Sequence, residues 1–425
     1  MLLQRLLLLA ATAVSAQPYD RSLLNFDFPS NSTPQRFTIK VDESFLNNTI
    51  QKVRSYRPTY GLSSTWDIEG PPARNLTDVA EYWVNQYDWN NVQEKLNNDF
   101  DHYATTVSGG EKYPYPVPLH FIHHVSTSTN ATPLLLLHGW PSTNLEWSKV
   151  IKPLSKNSGQ PFHIVAPDLP GFGFSPEPQH PGLGLREIGS AFNALMHQLG
   201  YEKYGIVATD LGWVTGRWMT IDVRDSILGH MCDFFIAEAT TEDQARLAQN
   251  KTTEEETLYM AAVDKWFSSH WAYSVVHSQK PLTISQALAD SPVGLLGWFW
   301  DVNYATSNGY PYTKEELITD AMMMAIPGPY AGVRAYLGFQ SQFPHTDVPT
   351  GVSQWSMGDG PFPDVGNFGF APRSWVERSV NLVYFQRHQN GGHFPAVSQP
   401  DLWMSDVRSF FSALRNSSPV RKDEL

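Results

Sequence analysis

One acidic residue lies where a predicted buried strand meets a helix. Residues 207–212 read VATDLG, so an apolar run leads to Asp210 and small side chains flank it. This layout is typical of a nucleophile elbow, a tight strand-to-helix turn that exposes a nucleophile above a sheet, and the nucleophile here would be a carboxylate. The same pattern also fits an ordinary aspartate N-cap, so the segment alone leaves both interpretations open.

A second motif follows a run of four leucines. It reads HGWP and comprises His138, Gly139, Trp140 and Pro141. A loop at this place can direct the Trp140 backbone N–H towards the same point as the Leu211 amide, and the two would form an oxyanion hole beside Asp210. A plain Gly-Pro turn is the alternative interpretation.

A histidine follows the last predicted strand. His393 stands in the segment NGGHF at 390–394. A lone histidine after a strand is more often structural than catalytic. Its place in the chain nevertheless gives the order nucleophile, acid, histidine that α/β-hydrolases have. The three matches together predict an active site with a covalent nucleophile and a general base.

The elements around these motifs alternate as a parallel sheet requires. Apolar runs bounded by turns predict buried strands at 134–137, 163–166, 205–208 and 381–384. Apolar residues at helical spacing predict helices at 185–199 and 401–414. The predicted fold class is α/β, namely an α/β-hydrolase fold with a mostly parallel sheet, an inserted helical lid and an amino-terminal extension.

Changes of composition along the chain predict its domain boundaries. Two helical stretches precede the core, and the second would form one apolar stripe from Trp83, Tyr87, Trp89, Val92 and Leu96. The predicted units are a signal peptide (1–16), an amino-terminal domain (17–117), the core in two parts (118–235 and 346–415), the lid (236–345) and a tail with an ER-retention signal (416–425).

The composition of the 425 residues excludes several classes of protein. Acidic residues number 42 against 30 basic ones, which argues against nucleic acid or an anionic membrane surface as the main partner. Cys232 is the only cysteine, so an intramolecular disulfide and Cys-based zinc or iron–sulfur sites are excluded. His120, His123 and His124 would point to different faces of a strand, so no metal site is expected there.

Both ends of the chain carry sequences typical of targeting signals. Residues 1–16 combine a charged start, an apolar stretch and a small-residue cleavage site, which predicts a secretory signal; a short membrane anchor is the alternative, and no stable membrane span is expected. The chain ends in KDEL at 422–425, which predicts retention in the endoplasmic reticulum lumen through a retention receptor. Six N-glycosylation sequons fit that route: Asn31, Asn47, Asn75, Asn130, Asn250 and Asn416.

Several segments together resemble one family. They are YW…DW at 82–89, HFIH at 120–123, HGWP at 138–141, DLPGFG at 168–173, DSPVG at 290–294 and VPTG at 348–351. The chain is similar to epoxide hydrolases of the microsomal type, in the α/β-hydrolase superfamily, over residues 35–415. The amino-terminal segment resembles that family's additional domain.

The resemblance implies a reaction and roles for residues. Asp210 would open a mostly apolar epoxide as nucleophile, with Tyr273 and Tyr336 of the lid donating hydrogen bonds to the epoxide oxygen. His393, oriented by an acid, would then activate water to hydrolyse the aspartyl ester to a vicinal diol. No metal or organic cofactor is implied. On spacing alone, both tyrosines fit equally well as interface residues with satisfied hydroxyls.

Two positions depart from the family pattern. Trp213 replaces a small residue after the nucleophile, so its indole must point away from the helix–strand contact or shift the elbow. The position expected for the orienting acid falls on Gly358 when it is counted from VPTG. Asp364 is then the first candidate for the acid and Asp359 the second. Both also fit as ordinary loop carboxylates.

Three other functions fit the same sequence. A haloalkane dehalogenase uses the same aspartate and histidine, but its lid stabilises a halide. A cyclase would open the epoxide with a hydroxyl of the substrate itself. A non-catalytic binding protein could keep the fold, and Trp213 with the displaced acid favours that alternative.

Overall fold

The computed structural model describes residues 28–29, 33–63, 65–156 and 159–417. The predicted signal peptide, the Asn31 sequon and the ER-retention sequence lie outside these residues, as does the side chain of Asn416.

The described residues form a sheet of nine strands in the order β1-β2-β3-β5-β4-β6-β7-β8-β9. The strands are β1 (Gln35–Arg36), β2 (His102–Ser108), β3 (Pro116–His124), β4 (Thr132–Leu137), β5 (Phe162–Pro167), β6 (Tyr204–Ala208), β7 (Ile227–Cys232), β8 (Thr346–Trp355) and β9 (Val380–His388). The three pairings from β1 to β5 are antiparallel, and the five from β5 to β9 are parallel. The mostly parallel sheet of the prediction is confirmed.

Helices cover both faces and one end of the sheet. They are α1 (Glu43–Arg54), α2 (Trp66–Glu69), α3 (Ala73–Asn85), α4 (Trp89–Asp99), α5 (Ile151–Ser155), α6 (Leu185–Gln198), α7 (Asp210–Asp222), α8 (Thr241–Ala248), α9 (Glu254–Ser269), α10 (Ala272–Gln279), α11 (Pro281–Asp290), α12 (Pro292–Thr306), α13 (Lys314–Ala325), α14 (Pro329–Arg334), α15 (Arg373–Val376), α16 (Pro395–Ser398) and α17 (Pro400–Ser417). No helix among the described residues is long and apolar enough to cross a membrane.

The central strands form because their side chains are apolar on both faces. Leu134, Leu135, Leu136 and Leu137 of β4 have no exposed surface, and every residue of β6 is buried. Continuous apolar runs of this kind are typical of parallel strands covered by helices on both sides. The four strands and two helices predicted from the sequence are present, with ends that differ by a few residues. The prediction that residues 381–384 are buried is wrong, because β9 is the edge strand of the sheet and Asn381 and Val383 are exposed.

A helical insertion separates β7 from β8. The chain leaves the sheet after β7, forms helices α8 to α14, and returns at β8. Capping boxes at Thr240, Thr253 and Thr313 begin α8, α9 and α13, because each threonine side chain accepts from a backbone N–H three residues on. These helices cover the carboxyl ends of the parallel strands.

The amino-terminal segment differs from its prediction in two ways. The proposed single apolar stripe is divided between α3 and α4, because Asp88 caps α4 by accepting from the Asn90 N–H. Trp83 and Trp89 are buried on these two separate helices. In addition, β1 and β2 extend the core sheet, so this segment shares the sheet with the hydrolase core. Antiparallel strands of mixed polarity gave no continuous apolar run from which to predict them.

Candidate active site

The turn between β6 and α7 holds Asp210 in a strained conformation. Asp210 begins α7 with a φ of 46°, in the left-handed region that non-glycine residues rarely adopt. The turn requires Gly212, since a Cβ there would lie 2.3 Å from the carbonyl oxygen of Leu137. This geometry is that of a nucleophile elbow and not that of an ordinary N-cap, whose backbone is extended.

The loop after β4 supplies a hydrogen bond to this carboxylate. The Trp140 backbone N–H donates to Asp210 Oδ1 over 2.8 Å. Gly139 permits the approach, because a Cβ there would meet Asp210 Oδ1 at 2.3 Å and the Leu211 nitrogen at 2.6 Å. His138 holds the loop in place, since its Nε2 accepts from the Leu169 N–H over 3.0 Å. The Trp140 N–H therefore holds Oδ1, and the Leu211 nitrogen lies close to the same place beside Gly139. The role of the Leu211 amide in an oxyanion hole stays a prediction.

The loop after β9 brings the histidine to the other carboxylate oxygen. His393 Nε2 lies 3.5 Å from Asp210 Oδ2. The His393 backbone N–H donates to the carbonyl of Thr306 at the end of α12, which ties this loop to the lid. Both residues are only 8% exposed. The two oxygens of Asp210 thus have different surroundings: Oδ1 is held by backbone and Oδ2 faces the histidine.

Two lid tyrosines lie above this pair. The Tyr273 ring stacks on the Trp140 ring with centroids 5.1 Å apart, and the Tyr336 ring meets Tyr273 edge-on at 5.7 Å. The Tyr336 hydroxyl is buried and has no hydrogen-bond partner among the described residues. Burial, assisted by the nearby charge of Asp210, raises the pKa of Tyr273 well above its ordinary value; burial also raises the pKa of Tyr336. Both hydroxyls therefore stay protonated and can donate.

The space between the lid and Asp210 is small and lined mainly by aromatic rings. Its walls include Phe234, Trp266, Trp271, Phe339 and Phe368. The cavity volume is about 20 Å³, which is room for roughly one water molecule. An organic molecule therefore reaches Asp210 only when side chains of the lid move.

Trp213 is accommodated without displacing the elbow. Its indole is buried against the rings of Phe234, Phe235 and Phe343, at centroid distances of 5.7, 5.4 and 5.3 Å. Gly212 alone makes the close approach to β4. The departure from the family pattern thus changes the packing behind the site and leaves the geometry of Asp210 intact.

Neither predicted orienting acid is brought to the histidine. Asp364 and Asp359 are exposed, and within the described residues no hydrogen bond or ion pair joins either carboxylate to His393. Asp364 lies in the 3-10 helix Pro363–Gly369, whereas the backbone N–H of Asp359 donates to the side chain of Asn308.

Two buried carboxylates near the site were missed from the sequence. Asp233 directly follows β7, and Glu146 lies in the 3-10 helix Asn144–Trp147. Burial raises the pKa of Glu146 well above its ordinary value, and that of Asp233 to about 6. The signal that could have found Asp233 is its place after the apolar run ILGHMC, the same kind of position that Asp210 has relative to β6.

The histidines of β3 have separate structural partners. His120 Nδ1 lies 2.7 Å from the buried carboxylate of Asp168, and His123 Nε2 lies 3.0 Å from the Tyr201 hydroxyl. Asp168 also accepts from the backbone N–H groups of Asn144 and Phe174, so it fixes the loops around the HGWP motif. No group of three or more potential ligands in the described ranges is arranged to hold a metal ion.

Comparisons with known proteins agree with this geometry. Residues 34–147 match the epoxide hydrolase N terminus family, and residues 132–295 match the alpha/beta hydrolase fold. The chain is 25% identical to Epoxide hydrolase 1 of Sus scrofa, over 89% of this chain and 88% of the relative.

Solved structures show the same architecture. The structure of Aspergillus niger epoxide hydrolase superposes with a TM-score of 0.76 at 26% identity, over 91% of this chain and 99% of that one. The crystal structure of juvenile hormone epoxide hydrolase from the silkworm Bombyx mori gives a TM-score of 0.80 at 24% identity, over 91% and 96% of the two chains, and shows the shared fold.

Proposed function

We propose that this chain is an epoxide hydrolase that converts a mostly apolar epoxide to a vicinal diol through a covalent ester on Asp210. The observation that carries the proposal is that the two oxygens of the Asp210 carboxylate have different partners. Its Oδ1 accepts from the Trp140 N–H, while its Oδ2 faces His393 at 3.5 Å beneath two protonated tyrosines.

In the first step, Asp210 is the nucleophile. Its Oδ2 attacks an epoxide carbon, and the ring carbon–oxygen bond breaks. The released oxygen takes a proton from Tyr273 or Tyr336, whose raised pKa values keep them protonated until this moment. The product of this step is an ester between Oδ2 and the substrate.

In the second step, His393 is the general base. It takes a proton from water, and the hydroxide attacks Cγ of Asp210. The Trp140 and Leu211 amides stabilise the charge that develops on Oδ1. The bond from Cγ to Oδ2 then breaks. The diol leaves with Oδ2 and a proton from His393, while the acid proton on Asp210 restores the tyrosine.

The lining supports an apolar substrate. Aromatic side chains from Trp266, Trp271 and Phe339 surround the space above Asp210, and they offer apolar surface with few hydrogen-bond partners. We therefore propose aryl and alkyl epoxides as the substrate class.

The proposed location is the lumen of the endoplasmic reticulum. The signal-like stretch at 1–16 and the KDEL sequence support it. Asn47 and Asn250 are exposed, as glycan acceptors must be, whereas Asn75 is partly buried. Asn130 is exposed too, and the threonines of the Asn47 and Asn130 sequons, Thr49 and Thr132, are both buried.

Turnover assays with the purified chain test the function. A panel of aryl and alkyl epoxides is offered beside 1-haloalkanes of matched size, and diol and halide are measured. We expect diol from at least one epoxide and no halide. Halide release without diol would instead establish a dehalogenase, and no product from any compound would favour a non-catalytic protein.

Removal of the tyrosine hydroxyls is expected to slow ester formation. The substitution Tyr336→Phe removes one donor to the developing alkoxide and should lower the rate of this step by about 100-fold. The double variant with Tyr273→Phe should lose more, because no donor then remains. Stopped-flow measurement of the Asp210 ester gives these rates.

The matched control is Tyr259→Phe. Tyr259 is also buried in the lid, but its hydroxyl accepts from the Ala237 N–H away from Asp210. Ester formation in this variant should stay near the wild-type rate. Equal losses in the Tyr259 and Tyr336 variants would assign the effect to lid packing and contradict the role of the hydroxyl.

A further inference from the structure

We infer that Asp233, at the carboxyl end of β7, is the residue that orients His393, and that neither Asp359 nor Asp364 has this role. The inference rests on the proposed function, because it concerns the hydrolysis of the Asp210 ester. The orienting acid would then follow β7, the strand next to the one that leads to the nucleophile, and would not lie in the loop after β8.

The sheet places Asp233 next to the elbow. Strands β6 and β7 are parallel neighbours, and Ala208 pairs with Cys232 at their carboxyl ends. Asp233 and Asp210 each follow these paired ends within two residues, so both lie at the same edge of the sheet. Phe234, adjacent to Asp233, contacts the His393 ring edge-on with centroids 4.9 Å apart.

One oxygen of the Asp233 carboxylate accepts a hydrogen bond from Trp403, and the other can accept one from His393. The Trp403 indole N–H donates to Oδ2 over 2.6 Å, and the residue is 6% exposed. Oδ1 is buried and makes no hydrogen bond of normal geometry within the described residues, while the Thr209 hydroxyl lies close enough to lower the pKa of this carboxyl. A buried carboxylate oxygen without a donor is costly, and the imidazolium that forms on His393 during ester hydrolysis would offset that cost.

The orientation of the histidine agrees with this role. Nε2 faces Asp210, which leaves Nδ1 on the other side of the ring for an orienting acid. Burial raises the pKa of Asp233 to about 6, and the hydrogen bonds from Trp403 and Thr209, followed by the charge of His393, oppose this rise. The carboxylate is therefore mainly ionised at neutral pH. Its other titratable neighbours are Glu146 and Cys232.

The two acids first predicted lack these features. Asp359 and Asp364 are exposed to water, which screens their charge. A solvated carboxylate holds an imidazole weakly compared with a buried one at fixed position.

The substitution Asp233→Asn tests the inference, because asparagine keeps the shape and the acceptor for Trp403. We expect ester hydrolysis to fall by about 100-fold or more, while ester formation stays within about 3-fold of wild type. Since the ester then accumulates, kcat and KM fall together and kcat/KM is preserved. A structural role would lower both steps and would not give this division.

The double variant Asp359→Asn with Asp364→Asn is the matched comparison, and its exposed positions make misfolding a minor concern. Ester hydrolysis should remain within about 3-fold of wild type. A large loss in this double variant, or unchanged ester hydrolysis in Asp233→Asn, would overturn the inference while wild-type diol production upholds the proposed function. Absence of both ester and diol from the wild-type chain would overturn the two together.

Discussion

Asp210→Asn is expected to lower turnover by at least about 10⁴-fold, the largest loss of any single substitution in this site. An amide oxygen is a poor nucleophile, so the ester does not form, and its hydrolysis and the release of the diol cannot follow. The loss should appear in kcat with every epoxide that the wild-type chain accepts. Diol formation under saturating substrate measures it.

Folding should survive this change. The Asn side-chain oxygen can still accept from the Trp140 N–H, which is the hydrogen bond that Oδ1 makes in the elbow. The left-handed conformation at this position also suits asparagine, which tolerates positive φ better than most residues. Thermal unfolding should therefore be near that of wild type. Undiminished turnover by this variant would remove Asp210 from the mechanism.

His393→Gln is expected to stop the reaction after one equivalent of epoxide per protein chain. Glutamine cannot take the proton of water, whereas the attack by Asp210 needs no base. Ester should form and persist, and ester hydrolysis should fall by about 10³-fold or more. Consumption of epoxide in a stoichiometric burst, with intact-mass measurement of the adduct, checks this result.

The comparison variant for this histidine is His388→Gln. His388 is the last residue of β9, five residues before His393. Its Nε2 lies 2.7 Å from Asp406 Oδ2, and its ring stacks on Trp355. Multiple turnovers should continue in that variant. Steady diol production by His393→Gln would assign the base to another group.

The parts of the fold that the sequence predicted are those whose signal is local. Three buried strands, β4, β5 and β6, appear as continuous apolar runs, because strands covered on both faces need apolar side chains throughout. The fourth predicted strand is present as β9, but it is a partly exposed edge strand. Asp210 could be placed on a turn since the small residue Gly212 follows it, and the structure shows why that residue must be small. The HGWP motif could be recognised for the same reason, because its Gly139 must also be small.

The remaining parts depend on contacts between distant segments. The rings of Tyr273 and Tyr336 meet above Asp210 only because α10 and the 3-10 helix Ala335–Gly338 pack together in the lid. The segment 227–232 gave no prediction of a strand, so its neighbour Asp233 was not considered. Counting along the chain from VPTG leads to the loop that holds Asp359 and Asp364, but spacing along a loop does not determine burial, and both residues are exposed.

A single turnover in H₂¹⁸O tests the covalent mechanism most directly. Wild-type protein in excess over epoxide reacts once in labelled water, and the diol and the peptide that contains Asp210 are analysed by mass. The mechanism predicts one ¹⁸O in the Asp210 carboxylate and none in the first diol, because hydroxide attacks Cγ and Oδ2 leaves with the product. Label in the diol, with an unlabelled Asp210, would show direct attack of water on the epoxide and contradict the account.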